Sequence, residues 1–465
     1  MSFRVEHGDC LDLLWREPPC SVDAMVTDPP AGIGFMGRAW DRDKGGRNRW
    51  IAWLAERIYA AKRVMKPGAH ALIWALPRTS HWTGMAIEDG GLEIRDCISH
   101  VFGSGMPKSK NLGGGRGTGL KPSHELWFLC RKPVEGTTTA NVERYGTGGL
   151  NISGCRVAHA SPADFAQHDA GVKAIKARGG SMAQSWKNAS DLSGANDVSS
   201  EGRWPPNFLM THHCECKRVG SRSVKANPTW DTPNRDTEAS AFTSSEVSTV
   251  CHASAAGTEE VPVWECVEGC PVKAMDDQSG ADAGRNGGRA GLSVGYGGVI
   301  QDASTPTYRD TGTASRYFPQ FEWTEDDDIT PFIYSAKASR AERERGLDHF
   351  KRRAAQGDTP NPQGIQAGAR NVHPTVKNGE LLRYLCRLVG VPKGKVLDIF
   401  TGSGSTGVAA LLEGMTFLGC ELNDTDEEPF VSIASARMAH VLGRDFVPRE
   451  SLRVSDPPKQ RSLFQ

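Results

Sequence analysis

The sequence predicts an α/β fold whose sheet is assembled from two separated stretches of the chain. Near the N-terminus, a buried strand ends at two prolines and is followed by an amphipathic helix and a second buried strand. Near the C-terminus, a strand, a glycine turn, a helix and a strand ending in an acid follow one another, as in one half of a nucleotide-binding α/β fold. Between the two stretches apolar periodicity fades and small polar residues dominate, which indicates a loop-rich insert.

These changes in composition divide the 465 residues into four predicted parts. A chain of this length can hold a folded core and a substantial second module. The first half of the α/β domain is predicted at residues 1–135, the irregular insert at 136–330, the second half at 331–445, and a frayed C-terminal tail at 446–465.

The first half is predicted to contain a long helix and several strands. Apolar residues recur on one side of Trp50–Met65, as in an amphipathic helix, and Lys66-Pro67-Gly68 ends it. A loop rich in Gly, Lys and Arg covers Lys108–Lys121. The predicted strands are Val22–Thr27, Ala69–Ala75, Ile94–Phe102 and Glu125–Cys130.

The second half is predicted to alternate helices with buried strands. Its elements are helix Glu380–Val389, strand Lys395–Phe400, helix Val408–Glu413 and strand Thr416–Cys420.

Composition limits the class of protein. The chain carries 55 basic and 55 acidic residues, so any basic footprint for a nucleic acid must be local. No apolar run approaches membrane-spanning length, and no N-terminal segment has the pattern of a secretory signal. Together with twelve scattered cysteines, this predicts a cytoplasmic protein in a reducing compartment, with some thiols available for a metal.

The first ligand-binding signal is the glycine turn that begins at Asp398 and includes Gly402 and Gly404. Glycines let the backbone turn sharply and let a ligand approach, and the following helix offers N–H groups. Glu421 ends the next strand, where a carboxylate can accept both hydroxyl hydrogens of a ribose. The turn also matches the dinucleotide pattern GxGxxG, so a nicotinamide dehydrogenase is an alternative, as is a glycine turn without a ligand.

The second signal is Asp28-Pro29-Pro30, directly after the first strand. Two prolines hold the backbone and remove two N–H donors, which leaves the Asp28 carboxylate and the Pro29 carbonyl as acceptors. Two such acceptors can hold both hydrogens of a base amino group and free its lone pair to attack a sulfonium methyl. By itself the segment would more often be a plain turn. Coupled to the glycine turn, it favours methyl transfer.

A cluster of cysteines and histidines lies inside the insert. The segment His212–Cys216 (HHCEC) stands about fifty residues before Cys266 and Cys270, a usual separation for paired zinc half-sites. Four N or S ligands would form a closed structural site and stabilise a module poor in large apolar residues. Cys216, Cys266 and Cys270 are the predicted cysteine ligands. His212 is taken as the fourth, with His213 and Cys214 competing, and free thiols are the alternative.

Taken together, these segments resemble the beta group of DNA amino-methyltransferases of phage and bacterial type. In that group an Asp-Pro-Pro-aromatic motif precedes the target-recognition region, and the glycine motif comes near the C-terminus. Here Asp28-Pro29-Pro30 and Phe400–Gly404 occur in that order. Gly8-Asp9-Cys10, His373–Lys377 (HPTVK) and Tyr334–Arg340 (YSAKASR) resemble further segments of the group. The resemblance covers roughly residues 1–135 and 330–440.

The resemblance implies a class I methyltransferase fold, with a Rossmann-like seven-stranded sheet that is circularly permuted, and an inserted target-recognition module. It implies a monomer or homodimer that flips a base out of double-stranded DNA and methylates its amino group from S-adenosyl-L-methionine, as in restriction–modification systems. The implied catalytic residues are Asp28, Pro29, Pro30 and Ala31. The implied cofactor-binding residues are Asp9, Cys10, Asp28, Thr375, Lys377, Asp398, Phe400, Gly402, Gly404, Thr406 and Glu421. Of these, Asp9 and Cys10 would lie beside the adenine ring, and the segment containing Thr375 and Lys377 would contact the methionine end.

One position departs from the family pattern. An aromatic residue normally follows the second proline and stacks on the flipped base, where this chain has Ala31. Stacking is worth roughly 1–3 kcal/mol, so Ala31 predicts slow methylation unless Phe35 or Trp40 substitutes. A catalytically inactive DNA-binding protein is therefore a second hypothesis. Adenine N6 is favoured over cytosine N4, because cytosine-modifying members more often have Ser at the position of Asp28.

Basic residues around the glycine loop are predicted to follow a DNA backbone. The alternative is a solvated surface, and an RNA substrate is a weaker option. The residues are Lys108, Lys110, Arg116, Lys121, Arg131 and Lys132.

Overall fold

The structure is a computed structural model, and part of the insert lies outside the residues it describes. Most of the loop Lys108–Lys121 and of the segment Tyr334–Arg340 also lies outside them, as do His213 and Cys214. The described residues are 2–102, 112, 116–120, 123–157, 165–166, 169–170, 173, 199–212, 216–225, 258–268, 270–279, 315, 318, 320–321, 340–353 and 368–453.

The described strands form one large sheet and a separate two-stranded ribbon. In chain order they are Phe3–His7 (β1), Val22–Thr27 (β2), Met65–Ala75 (β3), Glu93–Phe102 (β4), His124–Arg131 (β5), Phe208–Thr211 (β6), Lys217–Lys225 (β7), Thr258–Glu265 (β8), Gln320–Phe321 (β9), Lys395–Asp398 (β10) and Thr416–Glu421 (β11).

The large sheet is mostly parallel and has the spatial order β1-β11-β10-β2-β3-β5-β4-β6-β9. The strands from β1 to β3 in this order run parallel, and β5 runs antiparallel to both of its neighbours. Strands β6 and β9, both from the insert, continue the sheet in parallel beyond β4. They raise the strand number from the predicted seven to nine among the described residues. The predicted α/β class is confirmed, whereas the circular permutation and the four domain boundaries stay predictions.

Helices cover both faces of the sheet. Side chains of β2 alternate between them: Met25 packs in the core formed with α1–α3, and Ala24 and Val26 pack in the core formed with α7–α9. Every described helix is too short or too polar to cross a membrane. The helices are Cys10–Arg16 (α1), Arg47–Val64 (α2), Ser80–Asp89 (α3), Thr138–Tyr145 (α4), Pro271–Ser279 (α5), Arg340–Glu344 (α6), Gly379–Val389 (α7), Ser405–Leu412 (α8) and Phe430–Val441 (α9).

Two predicted boundaries shift for physical reasons. Lys66-Pro67-Gly68 ends the helix but lies within β3, because an irregularity in the pairing with β2 accommodates these residues. The strand predicted at Lys395–Phe400 ends at Asp398, whose Oδ1 accepts the Phe400 N–H at 3.0 Å and so starts the turn.

Strand β10, which comes late in the chain, lies between β2 and β11 in the middle of the sheet. In its pairing with β2, Leu397 is opposite Met25. Since the strands are parallel, the segments that follow them emerge at the same edge. The Asp28 segment and the glycine turn are thereby brought together, although they are far apart in sequence.

Candidate active site

A cavity opens at the carboxyl ends of β2, β10 and β11, where ligands bind in open α/β sheets. It holds about 1550 Å³ of empty space, part of it open to solvent. Every predicted catalytic and cofactor-binding residue except Gly404 lines it. These residues are Asp9, Cys10, Asp28, Pro29, Pro30, Ala31, Thr375, Lys377, Asp398, Phe400, Gly402, Thr406 and Glu421.

Gly404 has a packing role in the glycine turn. It precedes α8 with φ +79°, a left-handed conformation that favours glycine. A Cβ atom at this position would lie 2.8 Å from the Ala434 Cβ, so only glycine allows α9 to approach this closely. This packing explains the glycine without a ligand, and the contact of Gly404 with a cofactor stays a prediction.

Glu421 lies beside the glycine turn and accepts hydrogen bonds from backbone N–H groups. Gly402 N–H donates to Oε2 at 2.7 Å, and Asn423 N–H donates to Oε1 at 3.0 Å. Burial raises the pKa of Glu421 to about 7, against the lowering effect of these hydrogen bonds. Each carboxylate oxygen has a further acceptor position, so an ionised Glu421 can accept hydrogen bonds from a ligand's hydroxyl groups.

Asp398 links the two motifs below the cavity. Thr27 Oγ1 donates to its Oδ1 at 2.7 Å, which ties the end of β2 to the end of β10. Burial raises the pKa of Asp398 to about 6, although the hydrogen bonds from Thr27 and the Phe400 N–H favour the ionised form. Asp398 therefore fixes the start of the glycine turn relative to the end of β2.

Asp28 immediately follows β2 and its side chain is 24% exposed. Burial raises its pKa to about 7, against the lowering effect of Lys377. The negative charges of Glu125 and Asp398 add to the rise. Pro29 and Pro30 lack N–H groups, so this edge of the cavity offers acceptors.

Lys377 and Glu125 form a buried group beside Asp28 that the sequence does not predict. Lys377 Nζ lies 3.4 Å from Asp28 Oδ2 and 3.1 Å from Glu125 Oε2. Trp74 Nε1 donates to Glu125 at 2.7 Å, and His100 Nδ1 lies 3.0 Å from its other oxygen. Burial alone would raise the pKa of Glu125, but Lys377 and His100 outweigh it and lower that pKa. The available signal was an acid inside the apolar strand HELWFLC, because buried carboxylates are usually paired.

Asp9 and Cys10 border the cavity at the start of α1. Asp9 caps this helix by accepting the Leu11 N–H at 3.0 Å, and Arg57 donates to its other oxygen at 2.8 Å. Burial would raise the pKa of Asp9, but these partners outweigh it and lower the pKa. Burial raises the pKa of the Cys10 thiol to about 12, so it remains neutral.

Thr375 lies beside a buried neutral histidine. Its N–H donates to His373 Nδ1 at 3.3 Å, which leaves the ring proton on Nε2. Burial, with nearby arginines, lowers the pKa of His373 to about 3. A Cβ atom on Gly402, whose φ is +53°, would lie 2.8 Å from Nε2, so glycine is required there.

Aromatic side chains line the cavity near Ala31. Phe35 and Trp40 lie on a loop whose backbone N–H groups at Gly32 and Phe35 donate to the buried Asp41 carboxylate. Within the described residues, Trp40 Nε1 has no hydrogen-bond partner. The loop therefore places two aromatic rings in the cavity lining. Either ring is a candidate for the stacking role that Ala31 cannot perform.

Two of the basic residues predicted to follow DNA have partners within the chain. Arg131 donates to Glu93 at 2.9 Å, and Lys132 Nζ donates to the Met65 carbonyl at 2.7 Å. Arg116 is exposed. Lys108, Lys110 and Lys121 lie outside the described residues.

A candidate metal centre lies at the edge of the sheet. The ligand atoms of His212, Cys216, Cys266 and Cys270 all lie within 4.8 Å of one another, and these are the four residues predicted from the sequence. His212 Nδ1 is 3.3 Å from Cys266 Sγ and 3.7 Å from Cys270 Sγ. Tetrahedral zinc with bonds of about 2.0–2.3 Å separates such atoms by about 3.5–3.8 Å, so the donor set fits this ion.

A family model described as a DNA methylase matches residues 22–430 of the chain. Type II methyltransferase M.BamHI from Bacillus amyloliquefaciens is 26% identical over 109 residues, which are 23% of this chain and 26% of that protein. The aligned segment therefore spans about a quarter of the length of this curated relative.

Solved structures of DNA methyltransferases resemble the chain at low sequence identity. The cytosine-N4-specific PvuII DNA methyltransferase has a TM-score of 0.41 and 11% identity, covering 94% of this chain and 86% of that one. A complex of M1.HpyAVI with S-adenosylmethionine has a TM-score of 0.35 and 12% identity, covering 94% and 98%. At these scores the likeness does not bear on function.

Proposed function

This chain belongs to the DNA methylase family that matches residues 22–430, and we propose that it transfers a methyl group from S-adenosyl-L-methionine to a base amino nitrogen in DNA. The proposal is carried by one observation: Asp28 with its two prolines lines the same cavity as the glycine turn and Glu421. Membership of the family sets aside the nicotinamide dehydrogenase alternative.

The cofactor would be held by residues that follow β10, β11 and β1. Glu421 can accept its ribose hydroxyls, and Phe400, whose ring centroid is 5.6 Å from that of Trp53, offers an aromatic surface for the adenine. Asp9 and Cys10 border the same cavity. The remaining proposed contacts are Thr375, Asp398, Gly402 and Thr406. When bound, the cofactor supplies the electrophilic methyl group.

The amino group of the base would be held by Asp28 and Pro29. The carboxylate and the carbonyl accept its two hydrogens, which favours a pyramidal nitrogen with a free lone pair. That lone pair would form the new bond to the methyl carbon, the carbon–sulfur bond would break with its electron pair going to sulfur, and the methylated nitrogen would then release one proton to water. The ionised form of Asp28 suits this role best, because a protonated carboxyl loses part of its acceptor capacity and gains a donor.

We favour adenine N6 as the target, with cytosine N4 as the alternative. Asp28, rather than Ser, at the first motif position supports adenine. The test is to incubate the full-length protein and labelled cofactor with double-stranded DNA and to identify the modified nucleoside by mass spectrometry. N6-methyladenine supports the proposal, N4-methylcytosine corrects the target base, and absence of both favours the catalytically inactive DNA-binding hypothesis raised by Ala31.

Double-stranded DNA is the proposed partner, with residues 136–330 as the target-recognition module and a monomer or homodimer as the working form. Competition between duplex DNA and RNA for binding tests the partner. Sedimentation of the protein with and without DNA tests the oligomeric state.

We also propose a structural zinc ion held by His212, Cys216, Cys266 and Cys270. His212 directly follows β6, the neighbour of the edge strand β9. Cys216 directly precedes β7, and Cys266 directly follows β8. A metal ion there would fasten the β7–β8 ribbon and α5 to the sheet edge. The hydrophobic cluster around it has only four buried members among the described residues, so metal binding would add folding energy there.

A further inference from the structure

Beside Asp28, one buried ammonium group stands between two carboxylates. Lys377 Nζ is 3.4 Å from Asp28 Oδ2 and 3.1 Å from Glu125 Oε2. The side chains of Lys377 and Glu125 are only 8% and 5% exposed. Charges so far removed from water persist only when they are paired and hydrogen-bonded, so the three groups act as one electrostatic unit.

The ammonium group is also held by residues other than Asp28. Both oxygens of Glu125 are engaged, one by Trp74 Nε1 and Lys377 and the other by His100. Lys377 Nζ also lies 3.9 Å from the centroid of the Trp74 ring, within the range of a cation–π contact. Glu125 and Trp74 therefore restrain Lys377 at a position where Asp28 is its other charged neighbour.

We propose that Lys377 is a positioning residue for Asp28: it favours the ionised carboxylate and keeps it oriented as an acceptor, while Glu125, Trp74 and His100 form the scaffold that holds Lys377. This inference rests on the role of Asp28 in the proposed function. It differs from the contact with the methionine end of the cofactor that family resemblance implies for Lys377.

The balance of charge around Asp28 gives Lys377 its effect. Among the described residues, the charged groups that most affect Asp28 are Lys377, Glu125 and Asp398. Burial and the two carboxylates favour the protonated form, whereas Lys377 favours the ionised form. With Lys377 present the pKa of Asp28 is about 7. Removing the ammonium group raises this pKa further, so Asp28 would be mostly protonated at neutral pH and would be a weaker acceptor for the amino group.

The test compares Lys377→Met with Lys377→Arg in the full-length protein. Lys377→Met should move the titration of Asp28 upward by about 1–3 pH units, the range for an opposite charge at this distance. Lys377→Arg should return it close to the wild-type value, because the positive charge is restored. Two readouts apply: the acidic limb of kcat against pH, and the carboxyl carbon-13 shift of Asp28 in protein labelled at aspartate, with Asp28→Asn identifying the signal.

Lys44→Met provides a matched control. Lys44 lines the same cavity and lies 4.7 Å from the Trp53 ring centroid, but it does not face Asp28, so the titration of Asp28 should stay in place. Lys377→Gln replaces Lys377→Met if the latter does not fold. Cofactor affinity, measured by calorimetry, should change by less than about twofold in the Lys377 variants, since a tenfold change would need about 1.4 kcal/mol of lost contact.

Three results would overturn the inference. An unchanged Asp28 titration in Lys377→Met would remove the positioning role. A tenfold weaker cofactor affinity with that titration unchanged would return Lys377 to the methionine end, and a rise in the KM for DNA alone would place it on the base. The carbon-13 titration needs no turnover, so a protein that fails to methylate DNA would contradict the proposed function without deciding this inference.

Discussion

Removal of the Asp28 side chain should lower methyl transfer without weakening cofactor binding. Asp28→Ala deletes one of the two proposed acceptors and leaves Glu421 and the glycine turn intact. We expect methyl transfer to fall by roughly 100-fold or more, as when a transition-state hydrogen-bond partner is deleted elsewhere. Cofactor affinity should change by less than about twofold. Transfer of labelled methyl to DNA and calorimetric titration measure the two effects, and Asp89→Ala, at an exposed acid ending α3, is the control. Near-normal turnover in Asp28→Ala would refute its assigned role.

Glu421 should make cofactor affinity depend on pH. Its pKa is raised to about 7, so it is protonated below that pH and ionised above it. Since ribose hydroxyls donate hydrogen bonds to the ionised form, affinity should rise as pH increases through about 7. Glu421→Ala should raise the dissociation constant about tenfold or more, within the range for charged hydrogen bonds, and flatten its pH dependence. Titration calorimetry from pH 6 to 8.5 measures both, and affinity unaffected by the substitution would exclude Glu421 from the ribose.

Ala31 should limit the rate of methyl transfer, because it offers no aromatic ring to stack on the flipped base. Its backbone is already held, because Thr79 Oγ1 donates to the Ala31 carbonyl at 3.1 Å. Ala31→Tyr should raise methyl transfer by at least roughly tenfold, since roughly 1–3 kcal/mol of stacking is regained. Cofactor affinity should hardly change. An unaltered rate would mean that another ring stacks on the base, and Phe35→Ala and Trp40→Ala would then identify it by loss of activity.

At the residue scale, sequence predicts chemistry where the signal is local. Asp28 and Glu421 stand directly at strand ends, so the pattern of strands and turns is enough to place them. The pairing of Glu125 with Lys377 joins residues 252 positions apart and has no local signal. Gly404 also has a requirement without a local signal: its pattern matches a ligand-binding glycine, but the neighbour that requires glycine is Ala434 on another helix.

At the element scale, the metal ion should stabilise the β7–β8 ribbon and α5 without affecting the cofactor site. Elemental analysis should find about one zinc ion per chain. Chelation, or Cys270→Ser, should remove the zinc and speed proteolysis within the insert while cofactor affinity stays unchanged. Cys20→Ser, at an exposed cysteine outside the cluster, should keep the zinc. A folded, protease-resistant insert without metal would contradict the proposed site.

Strands with strong apolar runs were predictable, and short edge strands were not. Val22–Thr27 is buried at every position, and its four apolar residues were enough to predict a strand although Asp23 and Thr27 are polar. Strands β6 and β9 have four and two residues, so their place in the sheet depends on pairing with β4 and with each other rather than on their own sequence. The same holds for Lys66-Pro67-Gly68, which stays in β3 because β2 pairs on either side of it.

At the scale of the whole molecule, the order of strands in the sheet is the main feature that composition and periodicity do not supply. Patterns along the chain indicate which segments are strands, but β1 and β11 become neighbours only through contacts between the two ends of the chain. Resemblance to a known family implied only a permuted seven-stranded sheet and did not give the neighbours of each strand. The cavity depends on it, since its lining comes from both ends of the chain.

Because both ends of the chain build one sheet and one cavity, cofactor binding should stabilise the α/β domain as a unit. At a free cofactor concentration of about 100 times Kd, the free energy of unfolding should rise by about 2.7 kcal/mol. Thermal unfolding followed by circular dichroism should therefore show one transition moving up by several degrees. In Glu421→Ala, the same cofactor concentration should move it less, because the dissociation constant is larger. Chelation of zinc should leave the shift intact, since the metal cluster lies outside the cavity lining. A cofactor-induced shift that disappears on chelation would show instead that the insert and the cofactor site unfold together.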